Sequence, residues 1–398
     1  MSSSTSIVCA GCGWTAPPLH PTPFRCANNG DDVDHVLQRR LRGTPEIVDD
    51  PNPFIRFRQL THAWHTAVEI GMSDAEFVRL VRGLALPFAM TPLRWEPSLG
   101  VWVKDETANV GGSHKSRHLM GLMIWLLVAE RIDPTMARRP LAIASCGNAA
   151  IAAATIAHAA HRAIEVFIPA GASPRVVAEL EELGANVTMC GRNGAGDPAY
   201  LRFRDAVGAL PFTCQGNENG LVIEGGETLG WEMISQSPAI ARIVIQAGGG
   251  ALASAVIAAF NDALALGLID RLPRIDTVQT AAAHPLKRAF DRVVARGDLD
   301  YARRHRSEFM WPWETPPRSV AEGILDDETY DWAAVVRGML ATGGEVIVVS
   351  EEQLIEANRA ARAAGYDVSE TGSAGYAGVF AAPSNDDSTA VLFTGCAR

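Results

Sequence analysis

From residue 100 onward the chain repeats one phrase: a short apolar run, then a glycine or small polar residue, then an Ala-rich stretch. This repetition constrains folding more than any other feature, because alternating strand-length and helix-length segments are the pattern of parallel βαβ units in an open α/β sheet. The candidate strands are 101–103, 141–144, 164–169, 186–190, 243–246, 346–349 and 391–393. Open sheets of this kind bind ligands beyond the carboxyl ends of their strands. The chemistry is therefore expected just after these runs. A chain of 398 residues exceeds one ordinary core, which predicts two lobes with a small appended module.

That module is the opening stretch, where Cys9, Cys12 and Cys26 lie among Pro17, Pro18, Pro21 and Pro23. Further on, Phe77, Leu80, Val81 and Leu84 recur at helical spacing, and Ser73 with Glu76 forms a candidate capping box. The segment 272–317 breaks the rhythm with arginines at 288, 292, 296, 303, 304 and 306 and the cluster Trp311-Pro312-Trp313. It reads as a solvated helix and surface loop, or as a lid or subunit contact. A net charge of -10 gives no general attraction to nucleic acid or to an anionic membrane. The apolar run 119–129 falls short of the roughly 20 residues a membrane helix needs and predicts a buried helix. No secretory signal is evident, so a cytoplasmic location is expected, with the seven cysteines reduced.

Four segments are placed to carry chemistry. Gly111-Gly112-Ser113-His114-Lys115 precedes the buried helix, where glycines let an anion approach free N–H groups and a lysine can meet it. Ser145-Cys146-Gly147-Asn148 turns a strand end into an Ala-rich helix, and Asn148 offers an amide that can donate or accept. Gln246 is followed by Gly248, Gly249, Gly250, Ala251 and Leu252; three consecutive glycines are entropically costly, which favours a phosphate-binding loop. This loop fits neither common nucleotide fingerprint. Near the far end, Ser369 to Ala374 opens another helix, and the last strand runs into Thr394-Gly395-Cys396.

In this order and at these separations, the lysine turn, the Ser-x-Gly-Asn turn, the glycine loop and the final Thr-Gly resemble the fold type II pyridoxal phosphate enzymes, the tryptophan synthase β-like group. The overall look is nearest to threonine synthase, through Asn52-Pro53-Phe54, Thr91-Pro92-Leu93, Val103-Lys104-Asp105-Glu106 and Gly225-x-Glu227-Thr228. Features of diaminopropionate ammonia-lyase and of the serine and threonine dehydratases are present too. The resemblance implies an α/β fold of two lobes with open, mostly parallel sheets and a small zinc-ribbon-like N-terminal segment. It divides the chain into a module at 1–45, a large cofactor domain at 46–130 and 225–398, and a small domain at 131–224. It also implies a homodimer.

The same resemblance assigns roles. Lys115 holds pyridoxal 5'-phosphate and acts at the substrate Cα, since only a free lysine amine attacks a carbonyl and later serves as a base. His114 lies near the cofactor phosphate, and Gly248, Gly249, Gly250, Ala251 and Leu252 cradle it. Asn148 meets the ring oxygen and Thr394 the pyridine nitrogen. Ser145, Cys146, Gly147 and Asn148 hold the substrate carboxylate, and Glu322, in the run Ser319 to Ile324, faces the substrate. Cys9, Cys12 and Cys26 are implied as zinc ligands, with Asp31, Asp32, Asp34 or His35 as the fourth.

Departures from the family patterns narrow the activity. Cys146 occupies the variable position of Ser-x-Gly-Asn, where relatives carry an acid or base; it is either that acid or a packing residue. Ala144 stands where a tryptophan synthase β subunit has a catalytic glutamate. His114 and Ser116 stand where threonine synthases carry phenylalanine and aspartate. The implied activity is a lyase acting on a β-substituted, β-hydroxy amino acid through an aminoacrylate, releasing ammonia and a 2-oxo acid. A threonine synthase-like replacement enzyme and a non-catalytic cofactor-binding protein are the alternatives.

Overall fold

The computed structural model describes residues 5–191, 197–236, 240–383 and 388–398. Two strands, β1 (Thr5–Cys9) and β2 (Leu37–Leu41), pair antiparallel in the opening module. The strands β3 (Leu93–Glu96) and β4 (Val101–Asp105) follow, then β5 (Leu141–Ala144), β6 (Ile164–Pro169), β7 (Asn186–Cys190) and β8 (Leu210–Pro211). The rest are β9 (Arg242–Gln246), β10 (Arg274–Thr280), β11 (Val346–Val349) and β12 (Thr389–Phe393).

These form a four-stranded sheet of order β7-β6-β5-β8 and a six-stranded sheet of order β11-β10-β9-β12-β4-β3. Every pairing in them is parallel except β3 with β4. This is the two-lobed α/β fold with mostly parallel sheets expected above. The strand order does the positioning: β12, last in sequence, lies between β9 and β4, with Val391 opposite both Val244 and Val103. The carboxyl ends of β4, β12 and β9 are thereby neighbours, which converts three distant sequence motifs into one site.

Between residues 119 and 129 the helix Lys115–Ile132 is apolar on every side and largely buried, including Leu119, Leu122, Met123, Trp125 and Leu126. A helix of that kind belongs in a core. It crosses the helix Val222–Gln236 at a point only glycine permits: a Cβ on Gly121 would meet the Gly225 Cα at 2.5 Å, and one on Gly226 would meet the His118 ring at 2.1 Å. The Ser73–Glu76 capping box forms as expected, opening the helix Asp74–Gly83. Among the described residues no helix is long and apolar enough to cross a membrane.

The segment 272–317 carries the expected exposed helix, Pro285–Arg296, but departs from its expectation ahead of that helix. It begins with β10, an interior strand, not a surface element. Asp276, Thr277, Gln279 and Thr280 give β10 a polar sequence, yet all four are buried. Asp276 is paired with Arg242 at 2.6 Å, and Gln279 accepts from the amide of Leu286 at 2.9 Å and donates to the Ala247 carbonyl at 3.1 Å. Satisfied partners make such burial tolerable. The arginines beyond it are also engaged: Arg288 and Arg292 lie over the Trp311 ring at 3.6 and 4.7 Å, and Arg296 lies over Tyr301 at 3.2 Å. Stacking of this sort clamps the helix Pro285–Arg296 to the aromatic loop.

Candidate active site

The lysine turn leaves β4 through Gly111 and Gly112, whose φ angles of 65° and 69° suit glycine. A Cβ on Gly112 would meet Cys396 Sγ at 2.6 Å. The turn is laced to the end of β12: the His114 amide donates to the Thr394 carbonyl at 3.0 Å, and Ser113 bridges Gly395. Lys115 is the first residue of its helix and is half-buried. His114 Nδ1 donates to the Thr394 carbonyl at 3.1 Å, so Nε2 carries the lone pair. Burial and the neighbouring Lys115 charge hold His114 well below the usual histidine range, and the same causes hold His118 down at about 3. Both rings are neutral. Lysine is otherwise almost missing from the chain: there are three, at 104, 115 and 287. Lys104 is fully buried against Glu232 at 2.6 Å, and Lys287 pairs with Asp291 one helical turn away on the surface. Lys115 alone stands among the strand ends.

At the end of β12, Thr394 Oγ1 accepts from Gln246 Nε2 at 2.9 Å. Gln246 ends β9 and also donates to the Gly372 carbonyl at 2.7 Å. With its oxygen engaged from that side, the Thr394 hydroxyl keeps its own hydrogen to donate. Next in β9's exit, Gly250 has φ 92° and caps the helix Ala251–Ala265, so the loop Gly248 to Leu252 turns its amides to a helix start. A segment that sequence reasoning did not single out closes this loop. The Thr329 hydroxyl donates to the Gly248 carbonyl at 2.9 Å, the Asp331 amide to the Gly249 carbonyl at 3.0 Å, and Gly249 N–H to the Asp326 carboxyl. A Cβ on Gly248 would meet Asp326 Oδ2 at 2.2 Å. Burial raises Asp326 to about 6 and Asp331 to about 7, with Lys115 pulling both the other way.

From the second sheet, β5 delivers Ser145, Cys146, Gly147 and Asn148, the last opening the helix Asn148–Ala159. A Cβ on Gly395 would meet Asn148 Nδ2 at 2.7 Å, so Asn148 lies against the Thr394-Gly395 turn. Cys146 is exposed at the turn, and its thiol is pushed up by desolvation within the cleft and by the charges of Asp197 and Glu322. Glu322 is exposed and opens a short turn, Glu322–Ile324. Residues that sequence reasoning passed over are Arg398, Asp326 and Asp331. Their side chains meet the site only through contacts far apart in sequence, so no local signal marks them.

Two buried polar atoms beside Lys115 have no partner among the described residues: Ser113 Oγ and His114 Nε2. The Ser113 hydroxyl, the glycine loop and the Thr394 hydroxyl fit a polar ligand carrying an anionic group near the loop and a ring nitrogen that accepts a hydrogen bond, while His114 Nε2 calls for a donor. A model of pyridoxal-phosphate dependent enzymes matches residues 84–395. The chain belongs to the pyridoxal-phosphate dependent enzyme family. It is 23% identical over 270 residues to a threonine synthase from Methanocaldococcus jannaschii, matching 66% of this chain and 61% of that one. It is 29% identical over 168 residues to an L-serine dehydratase from Saccharomyces cerevisiae, matching 39% of this chain and 49% of that one. An L-threonine ammonia-lyase from Geobacter sulfurreducens is 32% identical over 146 residues, which is 35% of this chain and 33% of the relative. The chain thus spans less than two thirds of these relatives. Maize serine racemase shares the fold with a TM-score of 0.62 and 19% identity, over 81% of this chain and 92% of that one. The processed form of threonine deaminase isoform 2 from Solanum lycopersicum does so with a TM-score of 0.61 and 16% identity, over 90% and 95%.

In the opening module, Cys9, Cys12, Cys26 and His35 present four ligand atoms within 4.8 Å of one another. Cys12 and Cys26 sulfurs are 3.6 Å apart, and Cys9 Sγ is 3.4 Å from His35 Nδ1. Two zinc–sulfur bonds at a tetrahedral angle separate their sulfurs by about 3.8 Å, so the set fits that ion. Of the four candidates for the fourth position, His35 is the one at the cluster. Asp31 instead bonds His35 Nε2 at 2.8 Å, Asp32 binds Ser307, and Asp34 accepts from Trp332 at 3.1 Å.

Proposed function

We propose that this chain is a pyridoxal phosphate-dependent lyase that eliminates the β-hydroxyl of an α-amino acid, releasing ammonia and a 2-oxo acid. The observation that carries this reading is Lys115, the one lysine of three placed where the ends of β4, β9 and β12 meet. The cofactor, when bound, supplies a sink for electrons left at Cα. Lys115 is the residue that holds it and that takes and returns the Cα proton. The glycine loop Gly248 to Leu252 serves the phosphate, and the neighbouring His114 lies beside it with an Nε2 lone pair that can only accept a hydrogen bond. Thr394, its oxygen held by Gln246, donates its hydrogen to the ring nitrogen. A hydroxyl partner of this kind leaves that nitrogen unprotonated, which moderates the sink and favours loss of a β substituent over transamination.

Ser145, Cys146, Gly147 and Asn148 take the substrate carboxylate on the opposite wall, with Glu322 toward the side chain. Cys146 stays a thiol at neutral pH, because desolvation and nearby acids raise it, and in that form it can protonate a departing hydroxyl. Arg117 does not favour a phosphorylated substrate. It is buried and fully engaged by Glu106 and Glu232, at 2.6 Å to each. The cysteine and histidine cluster of the N-terminal module holds zinc, with Asp31 orienting His35 from behind in the manner of metal-bound histidines. The test is production of 2-oxo acid and ammonia from a panel of L- and D-serine, L-threonine, diaminopropionate and phosphohomoserine. Turnover of a β-hydroxy amino acid is expected. Release of threonine from phosphohomoserine, with none from the hydroxy amino acids, would replace this reading with the synthase.

A further inference from the structure

Arg398 joins a candidate site residue, a turn carbonyl and a carboxylate. Its Nε donates to Asn148 Oδ1 at 2.9 Å, its Nη2 to the Gly111 carbonyl at 2.6 Å, and its Nη1 to both carboxylate oxygens of Glu179 at 2.9 and 3.0 Å. Its side chain is only 22% exposed. Three elements converge on it: the lysine turn, the start of the helix Asn148–Ala159, and the helix Pro174–Glu182 of the four-stranded lobe.

A guanidinium has five donors and no acceptor. It can therefore face only the oxygen end of an asparagine amide, and the NH2 end must turn the other way. That end is the one packed against the Thr394-Gly395 turn, where a Cβ on Gly395 would lie 2.7 Å from Asn148 Nδ2. Without the guanidinium, the amide oxygen and nitrogen are nearly equal in shape, and either can face the site. We propose that Arg398 is a positioning residue: it fixes the Asn148 amide with its NH2 toward the cofactor ring oxygen, and Glu179 anchors it there. This rests on the reading of Asn148 as the partner of that oxygen. An NH2 donor stabilises the oxygen in its anionic form. Loss of the donor makes that form harder to reach.

The experiment is a pH titration of the visible cofactor band in the loaded wild type and in Arg398→Met, Arg398→Lys, Glu179→Gln and Asn148→Ala. Cofactor content is measured alongside by release in alkali. The expected result is a shift in Arg398→Met of about one pH unit, tenfold in the equilibrium, in the same direction as Asn148→Ala and with cofactor still bound. Arg398→Lys should recover part of that shift, and Glu179→Gln should show a smaller one. Wild-type titration in both Arg398→Met and Glu179→Gln, with Asn148→Ala shifted, overturns the role of Arg398 and leaves that of Asn148 standing. Wild-type titration in Asn148→Ala overturns both. If Arg398→Met does not fold, Glu179→Gln decides alone: a shift supports the proposal and its absence overturns it.

Discussion

Cys146 is the residue whose chemistry separates acid catalysis from packing. It is exposed at the turn between β5 and the helix Asn148–Ala159, so truncating it opens no core cavity. Cys146→Ala should keep the cofactor and lower kcat by roughly 10²–10⁴-fold, the usual contribution of a positioned acid. Steady-state kinetics check this, and an unchanged rate would return the thiol to packing. Among the remaining site residues, those that share a turn with a glycine or a strand end were readable from sequence: Lys115, Asn148, the loop Gly248 to Leu252 and Thr394 all gather at strand ends. Arg398 was not, since its partners lie 250 and 219 positions away. Asp326 and Asp331 were not, because a carboxylate in a polar run looks like solvated surface until packing shows what it covers. Glu322 and Cys146 were readable as candidates, yet sequence alone could not place them at the exposed edge.

At the scale of elements, the buried ion network around the helix Lys115–Ile132 makes a sharp prediction. Arg117 ties Glu106 and Glu232, and Lys104 shares Glu232, all nearly or fully buried. Arg117→Met leaves two carboxylates facing one ammonium in the core. It should cost about 3–5 kcal/mol, seen as a lower denaturant midpoint at unchanged slope. The N-terminal module makes another. His35→Ala removes one of four ligands, so bound zinc, measured by elemental analysis, should fall from one per chain to a small fraction, and the module should become the first region to exchange its amides. Full zinc retention in His35→Ala would remove that ligand from the account. Strands with uniform apolar runs were readable from their composition, whereas β10 was hidden by buried polar side chains. The strands β1 and β2 went unread as well: each is five residues long, and the polar sequence of β2 carries no apolar run.

For the whole molecule, the order of strands governs function, and it is the part that sequence periodicity does not specify. The run 391–393 is plainly a strand, but nothing in it says that it lies between β9 and β4 and brings Thr394 to Lys115. Burial of carboxyls near this junction links stability to pH. Asp331 is raised from 3.8 to about 7, so the folded chain holds a proton that the unfolded chain releases. The stability this brings is complete below about pH 4 and is lost as pH rises through about 7. Asp331→Asn should therefore raise the melting temperature of cofactor-free protein at pH 8, by on the order of a few kcal/mol in stability, and change little at pH 4. An equal effect at both pH values would contradict the shift. The central claim is that Lys115 carries the cofactor, and borohydride reduction of the loaded protein followed by peptide mass mapping tests it most directly. The account predicts a pyridoxyl adduct on Lys115 and on neither Lys104 nor Lys287. An adduct on either of those, or none on a protein that holds the cofactor, would contradict it.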